Sequence, residues 1–126
     1  MLAGTPALAF AVLIGSRANG TAHEGSDWDI AVLWKPSPSE AGTPASAMLS
    51  RLARHEALRQ RLAHCLNVAD TKIDLIDLRQ ASLTMKAVTV EEGQPVSLND
   101  ERAWAYFQTA TWRALEDHYW ERAHAA

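Results

Sequence analysis

The chain has 126 residues, 48% of them hydrophobic, which suits one compact core and leaves no room for a second domain of ordinary size. A formal charge of −3, with 12 Lys+Arg and no basic run, excludes a surface built to hold nucleic acid electrostatically, so no direct nucleic-acid partner is expected. The lone Cys65 excludes an internal disulfide and fits a reducing, cytoplasmic setting in which the thiol fills a corner of the core.

Residues 1–14 are apolar but lack a basic lead and are interrupted by Gly4 and Pro6, so neither a signal peptide nor a membrane span is expected. Within them, residues 7–14 (ALAFAVLI) form a continuous apolar run ending at Gly15, the pattern of a strand buried on both faces. A Gly-, Ser-, Asn- and Thr-rich stretch follows, with space for a short helix, before a second strand at residues 30–34. Residues 35–44 carry three prolines and read as an exposed loop. From Ser46 to Leu66 the helix formers place Leu58, Leu62 and Leu66 on one stripe. KIDLIDL, residues 72–78, returns to strand composition with two acids inside an apolar run.

A further helix is expected over residues 80–90, and a short edge strand over 95–98. The C-terminal helix, about 99–123, is capped by Asn99 or Asp100. At 100° per residue it sets Trp104, Phe107, Trp112, Leu115 and Tyr119 on one side and Tyr106 and Trp120 opposite, more aromatics than a monomer core uses. Alternating strands and helices give an α+β (α/β) fold, a mixed sheet packed against helices in a single domain, residues 1–126.

Chemistry concentrates after the first strand. Gly15 and Ser16 close it, and ten residues later Asp27 and Asp29 precede the second, a G-S-x10-D-x-D spacing. That spacing arises by chance in a chain of this length with probability on the order of 10⁻³. In extended backbone Asp27 and Asp29 project from one face, and two carboxylates that close repel unless a cation lies between them. Hard oxygen ligands suit Mg²⁺, which favours a few carboxylates plus substrate phosphates. Gly15 lets backbone approach a phosphate, and Ser16 adds a hydroxyl and an amide. Asp74 completes a three-acid set able to hold two Mg²⁺ ions if its strand lies beside the second. Asp77, with the opposite side-chain direction, is the alternative if the register slips. His23 and Glu24 read as a solvated loop pair, and His55, His64 and His118 lack metal-ligand spacing.

At these residues the sequence resembles the nucleotidyltransferase superfamily, the polymerase beta-like fold with strand, GS, short helix and D-x-D on the next strand. GSRANGTAHEGSDWDIAVLW, residues 15–34, matches throughout, including Gly20, Thr21 and Ser26. KIDLIDL resembles the strand carrying the third acid, which falls on Asp74, and LRQASLTMKAVTVEEGQPV resembles the continuation in MntA-like minimal nucleotidyltransferases. The likeness implies an antitoxin that pairs with a HEPN-domain RNase toxin in a hetero-oligomer and transfers AMP from ATP to a toxin tyrosine. It also implies catalytic and metal-binding roles for Asp27, Asp29 and Asp74, and phosphate binding by Gly15 and Ser16. The superfamily also contains enzymes with small-molecule acceptors such as aminoglycosides, and an antitoxin acting by binding alone is a third reading. Two departures stand out: the helix usual before the first strand is nearly absent, and Asn19 replaces a basic residue.

Overall fold

The computed structural model describes residues 4–36 and 42–124. The expected loop at 35–44 and the apolar lead therefore lie partly outside the described residues.

A four-stranded sheet in the order β3-β2-β1-β4 forms the centre: β1 Leu8–Ile14, β2 Trp28–Trp34, β3 Ile73–Asp77 and β4 Gln94–Leu98. β1 pairs antiparallel with β2 and with β4, whereas β2 and β3 run parallel. The parallel pair is joined by α2, Pro44–Leu66, because strands of one direction need a crossover and a helix supplies the length. α1 is the four-residue helix Ser16–Asn19 after β1, α3 is Leu83–Glu92, and α4 is Glu101–His124.

The apolar runs of β1 and β2 follow from their central position, buried on both faces. On one face Leu8, Ala11, Ile30, Val32 and Leu75 meet Leu58 and Leu62 of α2. On the other Phe10, Val12, Ile14 and Ala31 meet α3 and α4. α4 docks through an aromatic triad, with Phe10 5.0 Å from Trp104 and 5.4 Å from Phe107 between ring centroids. Each such pair contributes about 0.5–1.5 kcal/mol beyond its buried area.

The helix ends differ from expectation for local reasons. α2 starts two residues early because Thr43 caps it, accepting a hydrogen bond from the Ser46 amide at 3.1 Å, and Pro44 fits the first helical turn. α3 starts at Leu83 rather than 80 because Ser82 is its cap and Asp77 to Gln80 form a turn. Asp100 caps α4, its carboxylate accepting from the Ala103 amide at 3.1 Å, while Asn99 donates to the Thr5 and Leu8 carbonyls instead.

One expected core placement is corrected. Cys65 is exposed, since the stripe of Leu58, Leu62, Ala63 and Leu66 rotates away from it. On α4 the buried positions are Phe107 and Thr111, with Trp112 45% and Tyr119 64% exposed, so the helix carries more aromatics than the core takes up.

Candidate active site

The site forms where β1 ends and β2 and β3 begin. Antiparallel pairing sets Ile14 opposite Asp29, which brings the Gly15 bend against that carboxylate. Parallel pairing sets Asp29 opposite Asp74. Their neighbours Ile30 and Leu75 face α2, so by alternation both acids project from the other face of the sheet.

Asp77 falls three residues beyond Asp74 and therefore on the α2 face. There its carboxylate accepts from the Arg79 amide at 3.0 Å and shapes the turn leading to α3. The parallel register thus brings Asp74, not Asp77, beside Asp29.

Gly15 has φ +72°, and a Cβ on it would collide with Asp29 Oδ2. Backbone conformation and contact both require glycine here. Its carbonyl accepts from the Ala18 and Asn19 amides, starting α1, and Ser16 occupies the first helical position, where the amide has no partner within the helix.

Electrostatics concentrate on Asp29. Burial first, then the carboxylates of Asp74 and Asp27, hold its carboxyl above the usual range, and Asp29 and Asp74 hydrogen-bond through their side chains. Two carboxyls at this distance must share a proton or a cation.

Asp27 stands apart from that pair. Its Oδ1 lies 3.8 Å from Lys72 Nζ, and its side chain is more than half exposed. Among the described residues no three His, Cys, Asp or Glu side chains close around a common point. The donor set fits a hard divalent cation: Asp29 and Asp74 are neighbouring carboxylates whose mutual repulsion a cation would relieve, with Asp27 two residues before Asp29 and acting on its charge.

Residues that sequence reasoning passed over hold the Asp27 turn. Arg17 lies over the Trp28 ring at 4.1 Å and donates to the Ser26 carbonyl at 3.0 Å and the His23 carbonyl at 3.3 Å. Lys72 donates to the Gly25 carbonyl at 3.2 Å. His23 accepts from the Gly25 amide through Nδ1 at 3.0 Å, a role within the loop, and Asn19 accepts from Thr21 to close α1. His55 bridges β2, α2 and β3 through Trp34 Nε1 and the Leu75 carbonyl.

Comparison with known proteins agrees with this arrangement. Residues 1–102 match the family described as polymerase beta, nucleotidyltransferase. Over 89 residues the chain is 39% identical to protein adenylyltransferase MntA of Shewanella oneidensis, covering 71% of this chain and 53% of that protein. It thus spans about half the length of that relative. Among solved structures it resembles a toxin-antitoxin structure with AMP-PNP, at 28% identity and TM-score 0.67, covering 94% of this chain and 82% of that one. A second, the MntA-HepT toxin-antitoxin, matches at 25% identity and TM-score 0.59 over 94% and 80% of the respective chains. The chain belongs to the polymerase beta nucleotidyltransferase family.

Proposed function

We propose that the chain is a protein adenylyltransferase antitoxin that moves AMP from ATP to a tyrosine hydroxyl of a HEPN-domain toxin. The observation that carries this reading is the register pairing Asp29 with Asp74 against the Gly15 bend. It is supported by the likeness to a protein adenylyltransferase and to a toxin-antitoxin structure with AMP-PNP.

In this scheme Asp27, Asp29 and Asp74 hold Mg²⁺, as two ions, and Gly15 and Ser16 present backbone and hydroxyl donors to the triphosphate. Bound Mg²⁺ neutralises phosphate charge and lowers the pKa of a coordinated hydroxyl. Asp74, on the outer strand β3, takes the proton of the attacking tyrosine in this scheme as the phenol oxygen bonds the α-phosphorus and pyrophosphate leaves. The Gly15 bend excludes any side chain that would push Asp29 from its neighbour. Exposed aromatics on α4, with Tyr106 at 76% and Trp120 at 62%, supply the kind of surface that protein partners bury. No helix of the described residues is long and apolar enough to cross a membrane.

The test combines the purified chain with its cognate toxin, ATP and Mg²⁺, and weighs the toxin. One or more added AMP masses are expected with wild type, and none with Asp27→Asn plus Asp29→Asn. An unmodified toxin in the wild-type reaction refutes the proposal. Neutralisation of the toxin by the double variant without ATP supports the binding-only reading instead.

A further inference from the structure

Lys72 is the side chain that reaches the acid cluster from outside it. Its ammonium lies 3.8 Å from Asp27 Oδ1 and donates to the Gly25 carbonyl at 3.2 Å, a tie between positions 47 residues apart. It stands two residues before Asp74, at the entry to β3. Both members of the ion pair are about half exposed. Such a pair is weak, and exchange of either partner is inexpensive.

Asp27 lies beside this ammonium and does not close with Asp29 and Asp74 around a common point, yet its charge still raises the Asp29 carboxyl. A divalent ion held by Asp29 and Asp74 would compete with Lys72 for the Asp27 carboxylate, and the triphosphate bound with it would offer the ammonium another anion.

We infer that Lys72 is a positioning residue that holds Asp27 outward in the nucleotide-free chain and transfers to a phosphate oxygen of the bound nucleoside triphosphate. The inference rests on the metal-dependent nucleotidyltransferase reading above. It assigns Lys72 opposite effects on two ligands, competing with the cation for Asp27 and cooperating with the triphosphate.

Lys72→Met separates these effects. Mn²⁺ alone, titrated into the nucleotide-free chain and followed by electron paramagnetic resonance, is expected to bind about 2- to 5-fold more tightly in the variant, the range of an exposed ion pair. ATP in the presence of Mg²⁺, followed by calorimetry, is expected to bind about 10-fold or more weakly, as for loss of a hydrogen bond between charged groups. Lys72→Arg is expected to restore both. A thermal melt of each variant monitors the lost Gly25 tie.

Weakening of both ligands together, or no change in ATP affinity, overturns the inference and leaves Lys72 a structural clasp. Wild-type chain that takes up neither Mn²⁺ nor ATP removes the nucleotidyltransferase reading itself and this inference with it. That outcome is distinguishable from a wild type that binds both ligands and a variant that is indifferent.

Discussion

The acid border and the far half of α4 break folding rules in opposite directions. At the border, like charges are packed together: Asp29 sits beside Asp74 and against a glycine in the left-handed region. On α4, large apolar groups are left in water, with Tyr119 64% and Trp120 62% exposed. At the border burial and the neighbouring carboxylates all push Asp29 toward its protonated form, and on the helix the aromatic faces are exposed. Local rules fail in both places, and the manner of failure shows which complement each would take: a cation in one region, an apolar surface in the other.

That contrast can be broken most forcefully where α4 does pack. Phe107→Ala removes a side chain held between Phe10 and Trp104 and is expected to destabilise the chain by about 3–5 kcal/mol in urea unfolding. Gly15→Ala is expected to destabilise by about 1–3 kcal/mol and to abolish AMP transfer, because the new Cβ meets Asp29 and the backbone stays at positive φ. Thermal melts and transfer assays check the two parts. Retained activity would show that Asp29 can move without loss.

A smaller effect of opposite sign is expected for Asp29→Asn in metal-free buffer. Burial and the neighbouring carboxylates hold the folded Asp29 carboxyl above the usual carboxylate range, so the stabilisation associated with its proton is complete below the unfolded carboxyl's titration and is lost as pH rises through the folded one. Wild type should therefore lose stability across that window relative to the variant, and at pH 7 the variant should melt higher. Smallest of all, Tyr119→Ser plus Trp120→Ser is expected to shift stability by no more than about 0.5 kcal/mol, since both side chains are already exposed. A larger loss would mean that this half of α4 packs on the chain after all.

Much of the border was legible in sequence because its signals are local. Gly15, Ser16, Asp27 and Asp29 share one strand-turn-strand stretch, and the apolar runs of β1 and β2 announce strands covered on both faces. Choosing between Asp74 and Asp77 required the parallel register, which depends on how α2 returns the chain to the sheet. The start of α2 was misjudged because Pro44 resembles a breaker until Thr43 is recognised as its cap. The surplus of aromatics on α4 was legible from spacing, whereas the choice of Phe107 and Thr111 as its buried positions depends on the facing sheet residue Phe10. Arg17 and Lys72 were missed; Lys72 ends a helical turn before β3 begins at Ile73, so strand alternation does not fix its direction. The Arg17 contact with Trp28 spans a loop and leaves no periodic trace.

The strand order leaves β3 and β4 as the outer strands. Such margins invite other chains to add on, and this molecule blunts them differently: β4 carries Pro95, which has no amide hydrogen to offer, and β3 carries Asp74 and Asp77 among aliphatic residues. Asp74, exposed within that strand, thereby keeps the β3 margin polar. An alanine at that position would leave a greasier seam open to accretion, whereas asparagine keeps the margin polar, so poor solubility of an alanine variant should not be mistaken for a catalytic defect.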